Sequence, residues 1–242
     1  MADAIDYAFL HGGGQGGWVW AETIAALQAQ SGDGARATAF DLPGCGAKRD
    51  QDTSQLTVRA VAEAFVADLA NSGMKDIVLV GHSNAGTILP LVAEMRPDLV
   101  RRYIYVACIA PPPGESIRGM ITRRRAATAA KDETMSGGRL REMFCNDMSE
   151  DYAAAFMARL GFDHWPTLAA LDEAGWRYDH LEDKSATFVI CLQDQAEIPE
   201  WQDVYATRLQ VQRRVRIDAG HQVMNTRPHG LAEIIRAEAV QS

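Results

Sequence analysis

The hydrophobic and polar positions of this chain follow two periodicities, which alternate along most of its length. Short apolar runs predict six strands, at Ile5–Leu10, Ala35–Phe40, Asp76–Val80, Arg102–Ala107, Ala186–Leu192 and Arg213–Ile217. Apolar residues at helical spacing predict helices at Val19–Gln30, Thr57–Ser72, Asn84–Met95, Pro199–Leu209 and Pro228–Val240. Strands that alternate with helices favour an α/β fold, in which right-handed crossovers cover both faces of a mainly parallel sheet.

The segment between the fourth and fifth predicted strands breaks this alternation. From Pro111 to Lys184 the pattern predicts several short helices and no strand, and it contains many large side chains: Met143, Phe144, Phe156, Met157, Phe162, Trp165, Trp176 and Tyr178. A plain loop of this length would be unusual in a compact domain. We therefore expect a helical cap at 111–184, inserted after the fourth strand of a core that comprises 1–110 and 185–242.

Composition and charge narrow the possible classes of function. The 242 residues, of which 47% are hydrophobic, suit one α/β domain with an insertion. A net charge of −8 argues against a nucleic-acid-binding protein, and Arg123-Arg124-Arg125 is expected to form a solvated helix face. The acidic first residues and the absence of a long apolar run predict neither a signal peptide nor a membrane span. Four widely separated cysteines are typical of reduced thiols, so a cytoplasmic protein is expected.

The glycine-rich segment HGGGQGG, which follows the first strand, allows two interpretations. Gly12, Gly14 and Gly17 match G-x-G-x-x-G, a turn that binds dinucleotide phosphates, and Asp41 after the second strand could hold a ribose hydroxyl. This interpretation predicts an NAD(P)-dependent oxidoreductase, but the chain contains no Y-x-x-x-K pair of the kind that short-chain dehydrogenases need. In the other interpretation, the segment is a turn whose backbone N–H groups stabilise an oxyanion, as in esterases.

A candidate nucleophile follows the third strand in the sequence GHSNA. Ser83 occupies the position of the serine in G-x-S-x-G, where a strained turn raises the hydroxyl above the end of a sheet. The residues two before and two after it must be small, and here they are Gly81 and Ala85. Serine needs a base that a third group orients. Asp194 after the fifth strand and His221 after the sixth supply the order Ser, Asp, His that this topology requires.

Other polar residues near these positions are expected to have ordinary roles. Glu197 and Asp218 are interpreted as solvated loop charges, and the side chain of His82 is expected to point away from the Ser83 hydroxyl. No grouping of histidine and acidic residues has the spacing of metal ligands, so no metal site is predicted.

Together, the segments LHGGGQGGWVW, FDLPGCG, VLVGHSNAG, CLQDQAEIPEWQ and AGHQVM resemble the α/β-hydrolase superfamily. The chain is most similar to a small branch that holds plant methylesterases of the methyl salicylate type, hydroxynitrile lyases and bacterial esterase relatives. The resemblance spans residue 8 to about 235. It implies an α/β-hydrolase fold with about six strands, no cofactor, and Ser83, Asp194 and His221 as nucleophile, acid and base. It also implies that the backbone N–H groups of Gly13 and Asn84 form the oxyanion hole.

Within this branch, two positions separate lyases from esterases. The lyases carry a hydroxyl-bearing residue two after the first-loop histidine and a lysine after the catalytic histidine, where this chain has Gly13 and Gln222. This difference favours a serine hydrolase that cleaves a small-molecule carboxylic ester through an acyl-enzyme. A hydroxynitrile-lyase-like activity and lactone, carbamate or amide cleavage stay open, and a Rossmann oxidoreductase or a non-catalytic binding protein are remote alternatives.

The substrate is expected to contact a small set of residues, namely Gly12, Met143, Phe144 and Trp165. The composition leaves a homodimer open and gives no reason to expect a membrane or a nucleic acid as partner.

Overall fold

The structure, a computed structural model, describes residues 4–127 and 137–241. Its sheet consists of six strands: β1 (Ile5–Leu10), β2 (Ala35–Phe40), β3 (Ile77–His82), β4 (Val100–Val106), β5 (Ala186–Cys191) and β6 (Arg213–Ile217). All neighbouring strands pair in parallel, in the order β2-β1-β3-β4-β5-β6. The predicted fold class is confirmed.

Ten α-helices lie between and after these strands in the described residues. They are α1 (Ala21–Ser31), α2 (Val58–Asn71), α3 (Leu89–Met95), α4 (Ile117–Ala127), α5 (Gly137–Cys145), α6 (Glu150–Arg159), α7 (Leu168–Leu171), α8 (Pro199–Arg208), α9 (Val223–Thr226) and α10 (Pro228–Ala239). Short 3₁₀ helices occupy Gly17–Trp20, Gly32–Gly34, Gly46–Lys48, Ser83–Thr87 and Asp179–Leu181.

The two faces of the sheet bury separate hydrophobic clusters because successive strand residues point to opposite sides. On one face, Ala8 and Leu10 of β1 belong to the cluster that includes Phe65 of α2. On the other face, Tyr7 and Phe9 belong to the cluster that includes residues of α1 and α10. The inner strands are therefore apolar on both sides, which is why they read as continuous hydrophobic runs.

Three predicted helices begin later than their hydrophobic pattern indicated: α2 by one residue, α1 by two and α3 by five. The segment predicted as Asn84–Met95 starts with a 3₁₀ helix at Ser83–Thr87, and α3 begins only at Leu89. Gly86 lies so close to the chain beyond β4 that a Cβ there would be 2.0 Å from the carbonyl oxygen of Ile109. This contact with a distant segment is a tertiary effect that the local pattern does not contain.

The insertion between β4 and β5 forms α4 to α7, as the sequence predicted for a helical cap. Asp163 anchors it to the loop after β2, since its buried carboxylate accepts hydrogen bonds from the backbone N–H of Gly46 and from the Arg49 guanidinium. Trp18 Nε1 donates to the same carboxylate. Burial alone would raise the pKa of Asp163, but these donors and the charge of Arg49 lower it. The boundaries 111 and 184 stay a prediction.

Over residues 4–127 and 137–241, no helix combines the length and the apolar character that crossing a membrane requires.

Candidate active site

The turn after β3 lifts Ser83 above the carboxyl end of the sheet. Ser83 has a φ of +52°, a left-handed conformation that costs a non-glycine residue energy. The turn is tight enough that a Cβ added at Gly81 would lie 3.0 Å from Cβ of Ala85 and 2.8 Å from a methyl group of Leu89. This crowding explains why the sequence carries small residues on both sides of the serine.

The tertiary structure brings Ser83, His221 and Asp194 together from the ends of β3, β6 and β5. His221 Nε2 lies 3.1 Å from Ser83 Oγ, and His221 Nδ1 lies 2.8 Å from Asp194 Oδ2. The His221 and Asp194 side chains are almost completely buried. An imidazole held in this way can accept the serine proton at Nε2 while it donates its Nδ1 proton to the carboxylate.

Two histidines pack against each other at this point, and their environments push their pKa values apart. Burial alone would lower the pKa of His221, but the charge and hydrogen bond of Asp194 and the charge of Glu197 raise it. Burial and the neighbouring His221 instead hold the pKa of His82 well below its usual value. His82 Nε2 lies 3.0 Å from the carbonyl oxygen of His221, so neutral His82 donates to that carbonyl and points away from the serine hydroxyl.

The glycine-rich turn after β1 lies beside Ser83. A Cβ at Gly12 would be 3.1 Å from Cβ of Ser83, and a Cβ at Gly13 would be 3.6 Å from Cβ of Asn84. His11 fixes the turn, since its Nε2 accepts the N–H of Leu42 at 3.2 Å and its Nδ1 lies 2.8 Å from the carbonyl oxygen of Gly12. Gly13 and Asn84 therefore flank the serine on one wall of the site.

A cavity of about 290 Å³ opens in front of the serine and His221. Its walls are formed by residues of the loops around Ser83 and His221 and by apolar side chains of the chain after β4, of the cap and of α8: Ile109, Ile117, Ile121, Met143, Phe144, Leu171 and Trp201. Phe144 also packs on His221, with 5.3 Å between the ring centroids. Gln15 lines the cavity too, although the sequence analysis did not single it out.

Two of the four residues expected to contact the substrate do not line this cavity. Gly12 packs against Ser83 and His82, where only a hydrogen fits in place of a side chain. The Trp165 side chain is buried in the hydrophobic core. Its backbone carbonyl accepts the N–H of Gly14 at 2.7 Å, so Trp165 supports the glycine-rich turn from behind.

Two charged residues that were expected to be solvated instead lie in the cavity wall. Arg124 Nη1 and Glu197 Oε2 are 2.6 Å apart, with only 8% and 12% of the side chains exposed. The Arg124 guanidinium also lies over the rings of Trp201 and Tyr205. The predicted solvated face is therefore wrong for Arg124, and the side chain of Arg125 lies outside the described residues. Asp218 is exposed, as predicted.

Comparison with known proteins agrees with this geometry. The family model described as the alpha/beta hydrolase family matches residues 8–234. Methylesterase 10 of Arabidopsis thaliana is 26% identical over 97% of this chain and 92% of its own length. The probable esterase PIR7A of Oryza sativa is 37% identical, but the match covers 45% of this chain and only 41% of the relative.

Solved structures resemble the whole chain. An extracellular alpha/beta-hydrolase from a Paenibacillus species has a TM-score of 0.78 and 20% identity, covering 98% of this chain and 100% of that one. Polyneuridine aldehyde esterase also has a TM-score of 0.78, with 17% identity over 97% and 98% of the two chains. At this level of identity, the likeness concerns the fold.

Proposed function

The chain belongs to the alpha/beta hydrolase family, and on that premise we propose that it is an esterase that cleaves small carboxylic esters through an acyl-enzyme. Relatives named as esterases and methylesterases support this assignment, and methyl esters are therefore the first substrates to test. The hydrogen-bonded series Ser83, His221 and Asp194, which faces an apolar cavity, is the observation that carries it.

In the first half of the proposed reaction, Ser83 Oγ attacks the ester carbonyl carbon while His221 Nε2 takes the hydroxyl proton. Asp194 stabilises the imidazolium, and the backbone N–H groups of Gly13 and Asn84 donate to the carbonyl oxygen as it becomes negatively charged. The C–O bond to the alcohol then breaks, and His221 returns the proton to the leaving oxygen. In the second half, water attacks the acyl carbon while His221 Nε2 takes its proton, the bond between that carbon and Ser83 Oγ breaks, His221 returns the proton to Oγ, and the acid is released.

The experiment combines Ser83→Ala with a panel of substrates. The panel contains p-nitrophenyl acetate, methyl esters of aliphatic and aromatic acids, a lactone, an amide and mandelonitrile. The proposal expects ester hydrolysis by the wild type, its loss in Ser83→Ala, and an acyl adduct on Ser83 by mass spectrometry. Hydrolysis that survives in Ser83→Ala, or cleavage of mandelonitrile alone, would contradict it.

We also propose that residues 111–184 act as the cap that selects the substrate. Met143, Phe144 and Ile121 of this segment face the same cavity as the serine. Substitutions at these positions are therefore expected to change which esters are hydrolysed fastest, while the rate with a small ester such as p-nitrophenyl acetate changes less.

A further inference from the structure

The carboxylate of Asp194 is surrounded by hydrogen-bond donors, and one of them is a side chain outside the triad. Oδ1 accepts the backbone N–H groups of Ala196 at 2.8 Å and Glu197 at 2.9 Å. Oδ2, the oxygen that faces His221 Nδ1, also accepts from Nε2 of Gln202 at 3.1 Å. The Asp194 oxygen that orients His221 therefore also accepts a hydrogen bond from a neutral side-chain amide.

Gln202 is completely buried on α8, although glutamine is usually exposed. Its Oε1 accepts the N–H of Cys191, the last residue of β5, at 3.0 Å. Its Nε2 lies 2.5 Å from the carbonyl oxygen of Glu197, in addition to the bond to Asp194. One amide thus joins the end of β5, the loop that carries Asp194 and the helix behind that loop.

We propose that Gln202 is a positioning residue of the esterase reaction, which fixes the rotation of the Asp194 carboxylate and keeps the Nδ1 proton on His221. The inference rests on the proposed function. An N–H donor stabilises the ionised carboxylate and makes it a weaker base, so the proton shared with the imidazole stays on nitrogen. Because the amide also bonds the N–H and carbonyl groups of Cys191 and the carbonyl oxygen of Glu197, it is held in place and opposes rotation of the carboxylate oxygen away from the imidazole.

If Gln202 only supports β5, removal of another glutamine that bonds this strand should have a similar effect, and the exposed side chain of Gln212 provides that control. Gln212 Oε1 accepts the N–H of Ala186 at 2.9 Å, at the other end of β5. Its Nε2 donates to the carbonyl oxygen of Gln210. Gln212→Met therefore removes a glutamine that supports the same strand but has no bond to Asp194.

The test compares Gln202→Met and Gln212→Met with the wild type in two measurements. Imidazole NMR titration is expected to show a higher His221 pKa in Gln202→Met, because the Asp194 charge loses a donor that partly neutralises it. With p-nitrophenyl acetate, kcat is expected to fall about tenfold, as for loss of a hydrogen bond to a charged group, while KM changes little. Gln212→Met is expected to leave both the His221 pKa and kcat as in the wild type.

An unchanged His221 pKa in folded Gln202→Met, or equal losses in the two variants, would overturn the proposal. If Gln202→Met does not fold, Gln202→Leu, which also removes the donor to Asp194 and adds no charge, is titrated in its place. A higher His221 pKa is again expected, and an unchanged one overturns the proposal. Ser83→Ala is assayed in parallel. Hydrolysis that survives in it refutes the proposed reaction through an acyl-enzyme on Ser83, whereas the titration decides the effect of Gln202 independently of activity.

Discussion

Glu197 combines a close ion pair with deep burial, and its carboxyl should make the stability of this protein depend on pH. Burial raises the pKa of Glu197 from 4.5 to about 7, against the attraction of Arg124, and the charge of Asp194 adds to the increase. The free energy needed to remove the charges of Glu197 and Arg124 from water exceeds the free energy gained from their mutual attraction. We predict that Glu197→Gln abolishes a loss of stability that the wild type undergoes as the pH rises.

The size of this loss of stability follows from the pKa of the Glu197 carboxyl in the unfolded and in the folded chain. It titrates near 4.5 in the unfolded chain and near 7 in the folded one, so its contribution to stability is fully present below pH 4.5 and is lost as the pH rises through 7. Since each pKa unit corresponds to about 1.4 kcal/mol, the difference amounts to roughly 3 kcal/mol. The side chain is only 12% exposed, so solvent screening reduces this value little.

Urea denaturation at several pH values between 4.5 and 8 measures this effect. The free energy of unfolding of Glu197→Gln minus that of the wild type should increase by roughly 3 kcal/mol across this range. Groups that titrate equally in both proteins cancel in the difference. Glu182→Gln, which changes an exposed carboxyl, is the control and should parallel the wild type. Parallel curves for Glu197→Gln and the wild type would refute the reasoning.

Three further substitutions probe other parts of the molecule. Ser83→Ala should lower kcat for p-nitrophenyl acetate by about 10⁴-fold or more, and a smaller loss would mean that another group is the nucleophile. Gly13→Ala should lower kcat by about 10²-fold with little effect on urea stability, because a Cβ 3.0 Å from Pro166 displaces the N–H proposed to stabilise the oxyanion; an unchanged kcat would remove Gly13 from that role. Asp163→Ala should cost about 2 kcal/mol in urea unfolding, since it leaves the half-buried donors of Trp18 and Gly46 without their carboxylate; a cost below about 0.5 kcal/mol would show that the cap is anchored elsewhere.

Several features of the fold could be predicted from local patterns because local physics decides them. The parallel sheet follows from apolar runs alternating with amphipathic segments, and the small residues around Ser83 follow from the crowding of a single turn. The order Ser83, Asp194, His221 follows from the rule that loops after successive parallel strands meet at one edge of the sheet. The local pattern did not predict the 3₁₀ helix that precedes α3, a segment in which Gly86 packs closely against Ile109 of a distant part of the chain.

Which residues line the cavity depends on how elements that are distant in sequence pack together. The hydrophobic pattern along the chain contains no information about that packing. Trp165 and Met143 are both large apolar residues of the cap, yet one is in the core and the other faces the cavity. Arg124 looked solvated among its charged neighbours and is buried, since α8 supplies two aromatic rings and the Asp194 loop supplies Glu197.

The sequence by itself therefore determined the strands, the tight turn at Ser83 and the order of the candidate triad, because the strands and the turn depend on neighbouring residues and the order depends on which strand each loop follows. Only the tertiary structure decided the cavity wall, the buried pair of Arg124 and Glu197, and the amide of Gln202 behind Asp194. These features exist where segments far apart in sequence exclude water together, and burial, which gives their charges and hydrogen bonds their strength, is a property of the packed molecule.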